Sequence, residues 1–322
     1  MWIRRVASLT RNRRTPVDCG KFDSFLQTLA PRWHSRGSGG EANDDANTIR
    51  DDADQAPSCD TVLLTKEDEG VLTLTLNRPN QRNALNRALL ESLQKELERA
   101  AQHPRDIRAI VLQGGSVAVS GNVFSSGHDL KELQNLDEAG QRNLLELCSH
   151  VMQLLPTIPQ PTIAAVDGLA TAAGCQLVAA CDLAIGNPMS GYSTPGATTI
   201  GLFCHTPAVP LVRSIGLKRA LDMLYTGRTI TAPEAMQYGL ITSLAANPQK
   251  EAAKLARQIA TQSAGAMQMG KRSLYQQASA SSLEQAYQVA EQAMLENLQT
   301  QDAKSGIESF VQKKGTPTWE HR

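Results

Sequence analysis

The chain has 322 residues with 32 basic and 32 acidic side chains, so its formal net charge is zero. This length fits one large domain or two small ones, and the charge balance argues against a general nucleic-acid binder. No apolar run approaches the roughly 18 residues that a membrane-spanning helix needs. The six cysteines have neither disulfide nor zinc spacing, which indicates reduced thiols in an intracellular compartment and no metal site.

The N-terminal sixty residues divide into a basic and an acidic part. Residues 1–40 contain seven Arg and one Lys against two acids, while residues 41–60 contain seven acids against Arg50. Four apolar residues near the start have helical spacing: Trp2, Ile3, Val6 and Leu9. The basic part is typical of a mitochondrial transit peptide cleaved near 32–36, with a disordered basic tail as the alternative. The acidic part is predicted to be a flexible linker.

The pattern from residue 61 onward predicts alternating strands and helices. Strands are expected at 61–66 and 71–76, joined by an acidic turn. A helix follows over 86–102, with four leucines on one face: Leu89, Leu90, Leu93 and Leu97. Strand, loop and helix then repeat as far as Asp182, which predicts an α/β fold with a largely parallel sheet.

Beyond residue 217 the sequence is predicted to be nearly all helix. The expected helices are 218–225, 232–238, 249–261, 265–278, 283–298 and 302–313. The predicted domains are therefore a core over 61–215 and a helical C-terminal region over 216–322.

Two loops in the core offer free backbone N–H groups. The apolar run 163–166 leads through Asp167-Gly168 into the small residues 170–174 and a helix, where a ligand could lie against the backbone. Alternatively, these residues are small because the helix packs tightly against the sheet. The strand 109–113 precedes a second loop, which turns at Gly127 and starts a helix near Asp129.

Helix starts of this kind attract negative charge. Two of them, each following a strand, could direct one N–H apiece at a single oxygen. Such an oxyanion hole contributes about 3 kcal/mol of transition-state stabilisation per donor.

Together with the segment 76–86, these two loops resemble the crotonase, or enoyl-CoA hydratase/isomerase, superfamily from about residue 62 to the C-terminus. The resemblance implies the ClpP/crotonase-like spiral fold of ββα repeats with a helical C-terminal trimerisation region. It also implies an acyl-CoA thioester of fatty-acid metabolism as substrate, coenzyme A as part of that substrate and not a separate cofactor, and a homotrimer or hexamer. With the transit peptide, it implies the mitochondrial matrix as the location.

Site residues follow from the same resemblance. The oxyanion N–H groups are expected at His128 and Ala173. The other contacts to the substrate are expected at Arg82, Ala84, Leu85, Ser126, Asp129, Leu130, Lys131, Gly174 and His205. Lys131 suits the phosphates of coenzyme A as a compact cation, although an exposed helix lysine without a ligand is the equal alternative.

The two glutamates with which such hydratases move protons are missing. Gln176 stands at the first position and Gly196 at the second, and no Asp or Glu occurs between Asp182 and Asp222. Each lost acid–base group lowers the rate by about 10²–10⁴-fold. Conventional hydration, and isomerisation with it, is therefore expected to be very weak or absent.

For other side chains near these loops, a catalytic and a structural interpretation are compared. The His128 side chain could carry a proton, but a solvent-facing loop histidine is the favoured interpretation. His205 is favoured as pocket lining or packing over a catalytic role. Cys175 and Cys181 fit buried packing, and Asp182 fits a structural hydrogen bond.

Two functional hypotheses remain from the sequence. One is a hydratase-like acyl-CoA protein that stabilises a thioester enolate without the glutamates, and the other is a non-catalytic CoA-thioester binder or assembly partner. RNA binding is disfavoured because the helix 86–102 balances its basic residues with acidic ones. A dinucleotide enzyme lacks its glycine motif, and Ser193 and Thr194 have no base at motif spacing for a serine hydrolase.

Overall fold

Two β-sheets organise the part of the chain that the computed structural model describes, residues 61–115, 122–315 and 317–321. The predicted transit peptide and acidic linker lie outside these residues. The strands are β1 (Leu63–Asp68), β2 (Val71–Leu76), β3 (Ala109–Gly114), β4 (Val123–Ser125), β5 (Thr162–Val166), β6 (Leu169–Thr171), β7 (Leu183–Gly186), β8 (Gly191–Ser193), β9 (Ile230–Thr231) and β10 (Ser243–Leu244).

Twelve α-helices accompany these strands within the described ranges. They are α1 (Arg87–Gln102), α2 (Leu130–Asn135), α3 (Glu138–Thr157), α4 (Ala173–Ala180), α5 (Gly196–Thr199), α6 (His205–Ile215), α7 (Leu217–Thr226), α8 (Ala232–Tyr238), α9 (Pro248–Ala260), α10 (Ala264–Ala278), α11 (Leu283–Leu298) and α12 (Gln301–Val311).

The larger sheet has the strand order β1-β2-β3-β5-β7-β10. β1 and β2 form an antiparallel hairpin, and every later pair in the sheet is parallel. This arrangement confirms the predicted α/β fold with a largely parallel sheet, since parallel neighbours require crossover connections.

Both faces of the larger sheet are buried along its central strands, as their apolar runs predict, whereas the edge strand β1 is mostly exposed. Along β3, Ala109 and Val111 face the alanines of α9, whereas Ile110 and Leu112 face the main core. This alternation follows from the two-residue period of a strand. The four predicted leucines of α1 are all buried in the main core, and Asn86 caps that helix by accepting a hydrogen bond from the N–H of Leu89 at 3.1 Å.

The smaller sheet has the order β4-β6-β8-β9. β4, β6 and β8 are parallel neighbours, so their carboxyl ends lie side by side at one edge. Ligands of α/β proteins commonly bind at such an edge, where loops leave adjacent strands.

The helical C-terminal region differs from its prediction in one respect. Its helices lie within two residues of the predicted bounds, but β9 and β10 also follow residue 216 and pair with β8 and β7. The nearly all-helical character is therefore confirmed, and only these two short strands were not predicted. They are only two residues long, too short for an alternation pattern to reveal.

A buried lysine connects this region to the core. The Lys271 ammonium, on α10, donates to the carbonyl oxygens of Leu155 at 2.6 Å and Gln160 at 2.8 Å. It also lies 2.8 Å from a carboxylate oxygen of Asp182, whose other oxygen accepts from the Tyr275 hydroxyl. Burial lowers the pKa of Lys271, and Asp182 opposes that effect. Asp182 thus has the structural role expected of it.

None of the helices in the described ranges is long and apolar enough to cross a membrane.

Replacing Lys271 by Met should lower the free energy of unfolding by about 3–5 kcal/mol, because the Asp182 carboxylate would lose its cationic partner and keep only the neutral donors of Thr162 and Tyr275. Urea denaturation at constant protein concentration measures this. Lys254→Met is the matched control, since Lys254 forms an exposed pair with Glu251 and such pairs contribute at most about 1 kcal/mol. Equal midpoints for the two variants would show that the Lys271 cluster does not stabilise the fold.

Candidate functional site

The carboxyl edge of the smaller sheet brings together three chain segments. β4 leads into the loop with His128, β6 leads into α4 through Ala172, and β8 leads into Thr194. The N–H of Ala172 donates to the carbonyl oxygen of Ser193 at 2.9 Å, which fixes the start of α4 against the end of β8. The two loops singled out in the sequence are therefore neighbours in space.

Two glycines allow the loops to touch. A Cβ added at Gly174 would lie 2.3 Å from the carbonyl oxygen of Ser125, far inside contact distance. A Cβ added at Gly127, which has φ +89°, would lie 3.0 Å from the backbone nitrogen of Ala173. Only residues without a side chain permit this approach.

The sharp entry into α4 is made by Ala172. Its φ of 51° and ψ of −120° lie in a region that residues with a side chain seldom occupy. Such backbone strain costs about 1–3 kcal/mol and is concentrated at functional sites. The turn places the backbone nitrogen of Ala173, the first residue of α4, against Gly127 of the β4 loop.

Two N–H groups at this contact lack a hydrogen-bond acceptor within the described part of the chain. Leu85 donates to Gly127 O at 2.7 Å and accepts from Asp129 N at 3.1 Å, so the intervening His128 N–H points away from Leu85. Ala173 is the first residue of α4, where no intrahelical acceptor exists. Adjacent free donors of this kind can bind one oxygen that carries negative charge.

Asn83 holds the β4 loop in place and was missed in the sequence. Its amide donates to the carbonyl oxygen of Val123 at 2.9 Å, and its own carbonyl accepts from the Ser125 hydroxyl at 2.8 Å. The Ser126 N–H donates to Arg82 O at 3.0 Å. Asn83 is buried with φ 52°, a conformation that asparagine tolerates better than most residues. This preference is the feature from which its role in the turn could have been predicted.

Arg78 is a second residue that the sequence did not single out. Its guanidinium contacts a carboxylate oxygen of Asp129 at 3.0 Å and donates to the carbonyl oxygen of Ala84. The Asp129 carboxylate also caps α2 through the N–H groups of Lys131 and Glu132. Burial opposes ionisation of Asp129, but Arg78 and these amides together lower its pKa. The Asp129 side chain is therefore committed to holding the loop.

The His128 ring does not face solvent, and the expectation that it would was wrong. Both ring nitrogens are buried and have no hydrogen-bond partner among the described residues. Leu85 pairs with Gly127 and Asp129, and Arg78 pairs with Asp129, so the backbone on either side of His128 is fixed. Burial lowers the pKa of His128, which favours the neutral imidazole.

Residues 176 and 196, where the resemblance places the two glutamates of the family, differ in the space available for a side chain. Gln176 lies on α4 with its amide oxygen buried and without a partner in the described part. At Gly196 a Cβ would lie 2.2 Å from the carbonyl oxygen of Leu202 and 3.0 Å from the sulfur of Cys204. A side chain at 196 therefore requires a backbone movement, whereas a glutamate at 176 does not add an atom.

The other expected contact residues occupy varied surroundings. Leu85 and Ala84 are buried, whereas Leu130 and Lys131 are exposed on α2. The ring of His205 is exposed and lies 5.0 Å from the ring of Phe203. The roles expected of these residues, and of Arg82, Ser126 and Gly174, stay predictions.

The buried thiols near α4 are unreactive. Cys175 and Cys181 are buried, in agreement with the packing role expected of them, and burial raises the pKa of each thiol to about 12. At neutral pH both remain protonated, which excludes them as nucleophiles.

The fold, the two glycine-dependent loops and their free N–H groups match one class of protein. The family model of enoyl-CoA hydratase/isomerase matches residues 66–322, and the chain belongs to this family. Its relatives include the human enoyl-CoA hydratase domain-containing protein 3, mitochondrial, which is 42% identical over 258 residues, or 79% of this chain and 82% of the relative. The 2,3-dehydroadipyl-CoA hydratase of Escherichia coli is 34% identical over 267 residues, or 81% of this chain and 99% of the relative.

Solved structures agree with these relationships. The crystal structure of the human domain-containing protein 3 has a TM-score of 0.74 at 40% identity and covers 80% of this chain and all of its own. An enoyl-CoA hydratase from Mycobacterium smegmatis also has a TM-score of 0.74, at 36% identity, covering 81% of this chain and 99% of its own. The crotonase-like spiral fold predicted from the sequence is thereby confirmed.

The buried His128 ring predicts an acid-sensitive component of stability. Because its pKa is lower in the folded than in the unfolded chain, the contribution is present above the unfolded value of about 6.5 and lost as the pH falls below it. The free energy of unfolding should therefore fall more from pH 7.5 to 5.5 in the native chain than in His128→Gln. His103→Gln, at an exposed position, serves as the control and should behave like the native chain. An identical pH dependence in all three would refute the buried position of the ring.

Proposed function

We propose that the protein binds an acyl-CoA thioester with its carbonyl oxygen between the N–H groups of His128 and Ala173. The observation that supports this most directly is the pair of acceptor-free N–H groups at a contact that Gly127 and Gly174 alone make possible. Membership of the enoyl-CoA hydratase/isomerase family supports the same substrate class. A developing thioester enolate would gain about 3 kcal/mol from each donor.

For the coenzyme A portion, we propose the surface formed by the segments around Arg82 and Asp129. These segments are joined through Leu85 and Gly127, so a single ligand could contact both. Lys131 lies exposed on α2 nearby, where its compact ammonium suits a phosphate. The Asp129 carboxylate is already paired with Arg78, so the proposed contact there is through the backbone.

We further propose that conventional hydration is very weak. Adding water to an enoyl thioester requires one group to remove a proton from water and another to deliver one to the α-carbon. Gln176 has no titrating carboxylate, and Gly196 has neither a side chain nor room for one. A non-catalytic CoA-thioester binder is the second candidate function, favoured by the same two positions.

The proposed location is the mitochondrial matrix. Its support is the Arg-rich, acid-poor character of residues 1–40 and the word mitochondrial in the names of the relatives that match over most of the chain.

The proposed assembly is a homotrimer or a pair of trimers. α11 has no buried side chain, and an apolar stripe runs along it at helical spacing: Leu283, Tyr287, Met294 and Leu298. On the following helix, the Phe310 side chain is 84% exposed. Exposed apolar surface of this extent is typical of a subunit interface.

Binding and turnover can be separated with the purified chain. We expect crotonyl-CoA to bind in calorimetry while its hydration, followed by mass spectrometry, stays far below that of a standard hydratase. Gln176→Glu should raise the rate by about 10²-fold, because it restores one acid–base group. Gln153→Glu makes the same change at an exposed position of α3 and should leave the rate unchanged. Native turnover comparable to a standard hydratase would overturn the weak-hydration proposal, and absence of binding would overturn the thioester site.

The assembly has its own test. Leu283→Glu with Met294→Glu should convert the native oligomer to smaller species in size-exclusion chromatography with light scattering, because both charges enter the proposed interface. Gln288→Glu with Gln299→Glu adds the same charge at exposed polar positions and should leave the mass unchanged. A native chain that elutes as a monomer would contradict the proposed assembly.

A further inference from the structure

The strand β4, which leads into the loop with the His128 N–H, receives little support from its own sheet. It is three residues long, lies at the edge of the smaller sheet and pairs there only with β6 among the described strands. The register of this pairing shifts between Val123 and Ser125, so the ladder is also irregular. A short edge strand with a disrupted ladder does not by itself fix the loop that follows it.

The two expected oxyanion donors therefore differ in how their backbones are held. The Ala173 N–H begins α4, a helix of eight residues whose turns fix it. The His128 N–H follows Gly127, whose φ of +89° lies in a region that glycine enters freely. The His128 donor thus needs contacts from another part of the chain to keep its direction.

Asn83 supplies such a contact on the open side of β4. The carbonyl oxygen of Asn122 accepts from the Leu169 N–H of β6 at 3.1 Å, so the carbonyl of the next residue, Val123, points away from β6. The Asn83 side-chain N–H donates to this outward carbonyl at 2.9 Å. On the same strand, the Ser125 hydroxyl donates to the main-chain carbonyl of Asn83 at 2.8 Å. Asn83 thereby satisfies an edge group that a neighbouring strand would otherwise satisfy.

The chemistry of its surroundings requires a carboxamide at residue 83. The amide nitrogen meets two carbonyl oxygens, that of Val123 and that of Gly115 at 3.5 Å, just after β3. The amide oxygen accepts from the Arg78 N–H at 3.0 Å. Asn83 is fully buried, and a carboxylate in its place would put negative oxygen against those carbonyls. The residue is thus defined by its hydrogen bonds and not by its volume alone.

The neighbours of Asn83 continue the contact as far as His128. The Ser126 N–H donates to the carbonyl oxygen of Arg82 at 3.0 Å, and Leu85 forms a parallel bridge with His128. The segment 82–85 therefore lies along the β4 loop as an additional strand would. The position of the His128 N–H depends on this segment at both ends.

We propose that Asn83 is a positioning residue, whose side chain sets the direction from which the His128 N–H meets the thioester carbonyl oxygen. The inference rests on the thioester site proposed above. Asn83 does not touch the ligand, and it acts through Val123 and Ser125. The Ala173 N–H does not depend on it, so loss of the Asn83 side chain should misplace one of the two donors and leave the other.

Infrared difference spectroscopy of the full chain with butyryl-CoA, labelled with ¹³C at the thioester carbonyl, tests this inference. Hydrogen bonds to the carbonyl oxygen lower its stretching frequency, and the saturated chain cannot be hydrated. Asn83→Gly removes the side chain and still permits the φ of 52°. This variant should lose about half of the native frequency shift, because one of two donors is misplaced. Its affinity for butyryl-CoA should fall by about 3- to 10-fold.

Two further variants separate positioning from general stabilisation. Ser125→Ala removes only the hydroxyl that donates to Asn83 and accepts from the Gly127 N–H at 3.3 Å, and it should lose a smaller part of the shift. Asn77→Gly is the matched control, since the Asn77 amide donates to the carbonyl of Thr61 at 2.7 Å and not to β4. This control should keep the full shift. Thermal unfolding of each variant establishes that it is folded at the temperature of the spectrum.

The outcomes distinguish the positioning role from the underlying site. A full native shift in folded, ligand-saturated Asn83→Gly would overturn the role of Asn83 and leave the thioester site standing. If Asn83→Gly does not fold, a full native shift in Ser125→Ala would overturn that role instead. A native chain that binds butyryl-CoA without lowering its carbonyl frequency would overturn the proposed oxyanion site itself.

Discussion

The site depends on the contact between two backbone segments that lack intervening side chains. At Gly174 the chain presses against the carbonyl of Ser125, and at Gly127 it presses against the amide of Ala173. Any Cβ at Gly174 would overlap a main-chain oxygen, which cannot move aside as a flexible side chain can. The strained turn at Ala172 is compatible with this contact because its N–H donates to Ser193 at the end of β8 and its carbonyl accepts from Gln176 in α4. Without the contact, the two free N–H groups would not be neighbours.

The contact between the two loops also determines the surroundings of the polar groups beside it. At one of the two positions where a glutamate is expected, Gln176 has the shape of a glutamate but no charge. At the other, Gly196 lies so close to Leu202 and Cys204 that a side chain has no room. The proposed weakness of hydration therefore rests on the backbone packing at Gly196 as well as on the identity of residue 176. The inward-facing His128 ring adds a neutral donor and acceptor where a charged group would be costly to bury.

A buried ion pair that the helical sequence pattern does not predict joins the C-terminal region to the core. Lys271 reaches from α10 to the end of α3 and to Asp182, two residues beyond the end of α4. The same region exposes the apolar stripe of α11. The helices are thus attached to the core by a buried ion pair while part of their apolar surface remains uncovered in the single chain.

The sequence by itself determined most of the secondary structure, the family and the order of the two loops. Leucine spacing in α1, the apolar strand runs and the small residues after β6 each depend on neighbours a few positions away, and local patterns report such neighbours faithfully. The absence of acids between Asp182 and Asp222 is also a property of the sequence alone.

The tertiary structure decided the features that depend on contacts between distant parts of the chain. It turned the His128 ring inward, placed Asn83 and Arg78 as the supports of the loop, and closed the space at Gly196. It also added the strands β9 and β10 to sheets whose other members lie far away in the chain. These features depend on packing between segments that are distant in sequence, and a pattern of neighbouring residues contains no information about such packing.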